Sequence, residues 1–145
     1  MLKLFKVVFM NKIIVCEVIV LNERREILLQ LRDDRPGLVG AGKWGLFGGT
    51  QESGETPLAA IKRELKEELD WETSPELIGQ VEDNNNNIVY EHWLYRCLFN
   101  GEAASLLIRE GKEARFFNLA SLDILDKVEW FDRVYKETIF KLLNK

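Results

Sequence analysis

The sequence predicts an α/β fold in which a β-sheet is covered by helices on both faces. Three observations point there: strand-like runs dense in β-branched and aromatic residues, two segments with helical periodicity, and turn-rich stretches between them. At 145 residues the chain is long enough for one domain, read as residues 1–145, with a substantial core. With 46% hydrophobic and 30% charged residues and only three prolines it has the composition of a globular protein, which argues against disorder or a fibre.

Lys12 to Leu21 and Ile27 to Arg32 read as two strands joined by a hairpin across the polar turn NERRE. RDDRPGLVGAGKWG, Arg32 to Gly45, holds four glycines and one proline and reads as a loop. WGLFGG follows as a short strand ending in a glycine pair. Thr56 and Pro57 then give a helix-start signal, a capping hydroxyl before proline at the first helical position, and the helix is expected from Pro57 to about Leu69. Leu58, Ile61, Leu65 and Leu69 form its apolar stripe. Pro75 to Glu82 and Ile88 to Phe99 read as further strands flanking DNNNN, a hairpin loop. Arg115 to Asn118 reads as a short strand, and Val128 to Leu143 as a second helix by the spacing of Phe131, Val134, Tyr135, Ile139 and Leu142. The first nine residues, before Met10, read either as a dispensable extension or as a first strand.

Composition also limits function. A net charge of −4 and a pI near 5.2 argue against a nucleic-acid partner, which a basic surface would hold. Lys3, Lys6, Lys12 and Glu17 interrupt the apolar start before it reaches the length of a membrane span or a signal-peptide core, so no membrane partner and a cytoplasmic location are expected. Cys16 and Cys97 lie in strand-like contexts and read as buried thiols, without zinc spacing.

RELKEEL, residues 63 to 69, sets Glu64, Glu67 and Glu68 at i, i+3 and i+4 on one flank of the predicted helix. Each like-charge pair destabilises an isolated helix by roughly 0.2–0.5 kcal/mol. That penalty is small enough for an ordinary solvated helix face to tolerate. A carboxylate cluster is also a hard-oxygen site suited to Mg²⁺ or Mn²⁺.

The upstream residues favour the second reading. GGTQESGETPLAAIKRELKEELDW resembles the Nudix box, G-x5-E-x7-R-E-U-x-E-E-x-G-U with U a bulky aliphatic residue. Gly49, Glu55, Arg63, Glu64, Leu65, Glu67 and Glu68 fill seven specified positions, and the box spans 23 of the 145 residues. WGLFGG resembles the W-x-x-P-G-G that precedes it in the family. Asp70 stands where the family has glycine, Trp71 where it has an aliphatic residue, and Phe47 replaces the common proline; none of these is a metal ligand.

The Nudix resemblance implies an α/β/α sandwich with a mixed β-sheet between helices, and a Mg²⁺-dependent pyrophosphohydrolase in which Mn²⁺ can substitute. It implies that Glu64, Glu67 and Glu68 are catalytic metal ligands, with Glu64 handling the attacking water, that Gly48 offers a main-chain carbonyl to the ion, and that Gly49, Glu55 and Arg63 are structural, the last two as an ion pair. A further metal-ligand carboxylate is expected from REGKEARFF, Glu110 first and Glu113 second, with a solvated loop acid as the alternative for each. Arg32 is the candidate for gripping a phosphate and Trp44 for contacting substrate, against a surface arginine and a core aromatic. His92, the lone histidine, reads as a half-buried strand residue.

The substrate implied is a nucleoside diphosphate linked to another group, of nucleotide-sugar or ADP-ribose type. The alternatives are an oxidised or non-standard nucleoside triphosphate and a non-catalytic ligand-binding module. A homodimer is also raised by the resemblance, with LFKVVF as a candidate pairing strand.

Overall fold

The computed structural model describes residues 11–144, so LFKVVF and the two readings of the first nine residues lie outside it. Among the described residues the strands are β1 (Asn11–Leu21), β2 (Ile27–Leu31), β3 (Trp44–Gly45), β4 (Phe47–Thr50), β5 (Glu76–Asn85), β6 (Ile88–Leu98) and β7 (Glu113–Phe117). The helices are α1 (Pro57–Leu69), α2 (Leu119–Leu122), α3 (Phe131–Val134) and α4 (Lys136–Leu143).

β1 is central. It runs parallel to β6 from Asn11 opposite Ile88 to Leu21 opposite Leu98, and its other edge takes β4, antiparallel, from Val15 opposite Thr50 to Val18 opposite Phe47. β5 closes onto β6 as an antiparallel hairpin. β2 joins β1 at the Leu21–Ile27 pair and carries β3 and β7 on its edges. The sheet is therefore mixed.

Alternation along β1 separates two cores. Cys16, Val18 and Val20 face α1 and pack with Leu28, Phe47, Ile61, Leu65 and Leu69. Ile19 and Leu21 face the other way, onto Leu122, Phe131, Val134, Tyr135 and Ile139. Helices on both faces complete the α/β/α sandwich. Cys16 and Cys97 are free and buried, and burial pushes both thiols up to about 12.

Several boundaries depart from expectation for local reasons. WGLFGG makes two strands, because the chain changes neighbour at Leu46, whose carbonyl accepts from the buried Gln30 amide at 3.1 Å. β5 continues through Asn85, leaving Asn86 and Asn87 as a two-residue turn with φ of 49° and 63°, a conformation asparagine tolerates. β7 begins at Glu113, two residues earlier than expected, and α2 arises where the Asn118 side chain accepts from Ser121 N–H at 2.9 Å, a capping pair the sequence reading passed over.

The helix expected from Val128 starts at Phe131. Val128 N–H donates to the Trp44 carbonyl at 2.9 Å and Trp44 N–H donates to that of Asp126 at 3.0 Å, so these residues run extended beside β3. The helix is then interrupted at Tyr135, where φ widens to −105° while backbone hydrogen bonds to Phe131 and from Ile139 bridge the break. On α1, Ala60 replaces Leu58 in the buried stripe, and Leu58 is left exposed.

Candidate active site

α1 starts where the Thr56 hydroxyl accepts from Ala59 N–H at 3.1 Å. It ends at Asp70, which adopts the left-handed conformation, φ 50° and ψ 37°, and donates its N–H to the Leu65 and Lys66 carbonyls. Between these limits the apolar stripe docks on the sheet. Glu64 and Glu68 ride at its edge over β4, and Glu67 points further out.

Gly48 and Gly49 let strand and helix approach. Gly48 sits at φ 145°, and a Cβ there would lie 2.1 Å from the Cys16 carbonyl oxygen, so the β1–β4 pairing needs glycine at this position. At Gly49 a Cβ would lie 2.3 Å from Glu64 Oε1, so the Glu64 carboxylate rests on bare backbone.

Arg63 organises the outer acids. Its Nε and Nη2 donate to both Glu55 oxygens at 3.1 and 2.7 Å, and Nη2 also reaches the Thr50 carbonyl at 3.2 Å. Nη1 donates to Glu64 at 3.0 Å and Glu67 at 3.3 Å. The fork holds the Glu55 carboxyl below its ordinary range and raises the guanidinium pKa further. Glu55 thereby ties the loop after β4 to α1.

Glu68 has a different environment. It is 2% exposed and accepts from Gly48 N–H at 3.3 Å; among the described residues no lysine or arginine pairs with it. Burial, reinforced by Glu64 and Glu110, pushes its carboxyl up to about 9. Burial also raises Glu64, with Arg63 opposing it.

The loop before β7 supplies the far wall. Arg109 N–H donates to the Glu68 carbonyl and Lys112 N–H to that of Leu31, each at 2.8 Å. Glu110, between them, faces the same cleft of about 640 Å³ as Glu64, Glu67, Glu68, Gly48 and Gly49. Arg32 lines it too, with its Nε–H donated to the Val39 carbonyl at 3.0 Å. Arg35 and Arg109 also line the cleft; the sequence reading missed both, for no spacing marks a loop cation.

Three expectations are corrected. Trp44 does not line this cleft: it is 9% exposed and packs edge-on against Phe117, ring centres 4.8 Å apart, because β3 carries it into the core of the opposite face. Glu113 also stays outside, its carboxylate paired with Arg115 at 3.0 Å on β7. His92 is buried rather than half-buried, on the face away from α1, against Glu17.

The NUDIX domain profile matches residues 11–138. The chain belongs to the Nudix family. That membership makes it a hydrolase of pyrophosphate bonds. The fold is similar to that of the MutT protein from Methanosarcina mazei Go1, with TM-score 0.77 and 22% identity over 94% of this chain and 99% of that one. It is also similar to the NUDIX domain of Shewanella oneidensis NrtR complexed with ADP ribose, with TM-score 0.70 and 17% identity over 92% and 90%. A third likeness is to the E. coli dihydroneopterin triphosphate pyrophosphohydrolase, with TM-score 0.69 and 18% identity over 90% and 94%. No curated protein matches the chain by sequence. Among the described residues no helix is long and apolar enough to cross a membrane.

The family uses a divalent cation, and the donor set suits one. Glu64, Glu67, Glu68 and Glu110 offer only hard oxygens, and the buried Glu68 has carboxylates for neighbours where a charge of opposite sign would relieve them. Among the described residues the acids do not converge as a ready ligand group, since Arg63 holds Glu64 and Glu67.

Proposed function

We propose that this Nudix hydrolase is a Mg²⁺-dependent pyrophosphohydrolase that splits the diphosphate of a nucleoside diphosphate linked to another group, of nucleotide-sugar or ADP-ribose type. The observation that carries the metal requirement is Glu68, a carboxyl buried beside Glu64 and Glu110 and, among the described residues, paired with no cationic side chain. Glu64, Glu67, Glu68, the Gly48 carbonyl and Glu110 would hold the ion, with Mn²⁺ as a substitute. When bound, it supplies charge neutralisation and polarisation at the diphosphate.

The chain's own residues do the rest. Glu64, raised by burial and resting on Gly49, accepts the proton of the attacking water. Arg32, Arg35 and Arg109 supply fork-shaped donors in the same cleft, suited to phosphate oxygens. Glu55 and Arg63 keep the loop and helix in register. The two free thiols accord with work in the cytoplasm, where cysteines stay reduced.

An oxidised or non-standard nucleoside triphosphate is the second reading; the similar E. coli enzyme acts on a triphosphate, that of the pterin dihydroneopterin. Formation of nucleoside monophosphate from nucleotide sugars, ADP-ribose and canonical and oxidised nucleoside triphosphates, with a sugar phosphate or pyrophosphate as the second product, tests both in the presence of Mg²⁺, Mn²⁺ or chelator. Metal-dependent turnover of the diphosphate derivatives is expected. Turnover of triphosphates alone would move the assignment to the second reading, and turnover that survives chelation would overturn the metal requirement.

A further inference from the structure

A second cavity, of about 260 Å³, opens on the face of the sheet opposite α1 and shares no lining residue with the carboxylate cleft. Two of its lining residues are the buried polar pair Glu17 and His92, 5% and 4% exposed, with Glu17 Oε1 at 2.5 Å from His92 Nδ1. Val15, Tyr90 and Trp130 add apolar and aromatic surface. On a core-facing position of a central strand, a carboxylate is expensive unless its hydrogen bonds are satisfied. A pair serving only the interior would be packed over, whereas this one borders open volume.

The chemistry of the pair restricts what fits. Carboxylate oxygens only accept hydrogen bonds, and a neutral imidazole that gives its Nδ1 proton to Glu17 presents Nε2 as another acceptor. Among nucleobase edges, a uracil or thymine edge sets a carbonyl on each side of its N–H, and adenine and cytosine edges put a ring acceptor beside the amino group. Only a guanine-type edge sets two N–H donors side by side.

The loop between β2 and β3 links the two cavities. Val39, 70% exposed, lines the second, and its carbonyl accepts from Arg32 Nε–H, whose side chain lines the first. A molecule with phosphates in the first cavity and a ring in the second would have to pass Val39.

Resting on the pyrophosphohydrolase reading, we infer that this second cavity receives the substrate's ring, and that Glu17, oriented by His92, selects a planar heterocycle whose edge carries two adjacent N–H donors.

Calorimetric titration of the full chain with GDP, ADP, CDP and UDP in excess chelator tests the inference. GDP is expected to bind at least about tenfold more tightly than the other three, the worth of a hydrogen bond to a charged acceptor. Glu17→Gln, which replaces one acceptor oxygen by a donor amide, is expected to erase that margin while phosphate-end binding persists. Equal binding of all four, preference for another base, no binding of any, or a Glu17→Gln loss equal for all four overturns the inference. Should Glu17→Gln fail to fold, the wild-type ranking decides alone. Metal-dependent formation of nucleoside monophosphate from nucleotide sugars by the same preparation keeps the pyrophosphohydrolase reading whatever the ranking, and a GDP preference without such turnover leaves the ring site standing alone.

Discussion

Glu68 and Glu17 are buried almost equally, 2% and 5% exposed, on opposite faces of one sheet. Burial raises both carboxyls, but the neighbours act in opposite directions. At Glu17 the His92 ring opposes part of the desolvation, whereas at Glu68 the nearby Glu64 and Glu110 add to it. Glu17 therefore has its counterpart within the chain, and what it can still bind is a neutral hydrogen-bonding edge. Glu68 has no cationic partner among the described residues, and a proton or a cation from outside would relieve it. A buried acid becomes informative through its partners more than through its burial.

The largest effect that tests this contrast is on turnover. Glu64→Gln and Glu68→Gln should each lower kcat on the order of 10²–10⁴-fold, the range for removing a proton-transfer or charge-bearing group at the reacting centre. Both variants should keep the fold, since glutamine has nearly the shape of glutamate and places no charge in the interior. Initial rates at saturating Mg²⁺ beside a thermal melt separate the outcomes, and full activity in Glu68→Gln would sink the metal assignment. Glu67→Gln belongs to the same set: loss of metal-dependent activity with unchanged or slightly higher stability is expected.

Without metal, the same carboxyl makes stability depend on pH. The folded-state Glu68 holds its proton up to about 9, while the unfolded chain releases it near the ordinary value of 4.5. Between those limits the unfolded state binds fewer protons, so stability falls as pH rises, by up to about 1.4 kcal/mol per pH unit. Urea unfolding in chelator at pH 5.5 and 8 should show the slope, Glu68→Gln should flatten it, and added Mg²⁺ should oppose it. An unchanged slope in Glu68→Gln would assign it to other groups.

Smaller effects are expected one step out. Arg63→Lys retains the charge but loses the two-pronged hold on Glu55 and the hydrogen bonds to Glu64 and Glu67. Activity should drop roughly 10–100-fold, as for residues that orient metal ligands, and activity retained would make Arg63 an ordinary surface arginine. The two glycines divide fold from site. Gly48→Ala drives a Cβ into the Cys16 carbonyl and should destabilise the fold by roughly 1–3 kcal/mol. Gly49→Ala meets only the end of the Glu64 side chain, which can swing away, so the fold should survive while turnover falls. Melting temperatures and rates of the two variants check the division.

The sequence made α1 and its acids legible because their signals are local: a cap, a proline, a stripe and fixed spacings within 23 residues. β1, β2 and the asparagine turn were legible by the density of β-branched residues and by turn chemistry. What stayed hidden depends on long-range pairing. Trp44 enters the core because β3 bonds to β2 and to residues 126–128, and no residue near it in sequence says so. Glu17 meets His92 only because β1 and β6 run parallel, 75 residues apart in sequence. Arg109 reaches the cleft through its backbone bond to Glu68, which composition does not foreshadow.

The smallest effect expected is at the end of α1. Asp70 holds φ 50°, a conformation that costs a residue with a Cβ about 1–2 kcal/mol and glycine almost nothing. Glycine in turn loses more freedom on folding, about 0.4–1 kcal/mol. The Asp70 carboxylate also lies 3.4 Å from both Lys66 Nζ and Arg109 Nη2, exposed contacts worth little. Asp70→Gly should therefore stabilise the protein by about 0.5 kcal/mol, which for a chain of this size raises Tm by about 1–2 °C. The position bears on the contrast between the two buried acids because Arg109 anchors the loop that holds Glu110 beside Glu68. A higher Tm with unchanged kcat would show that the backbone bond to the Glu68 carbonyl suffices to place that loop. A lower kcat would show that the Asp70–Arg109 contact helps set the charge around Glu68.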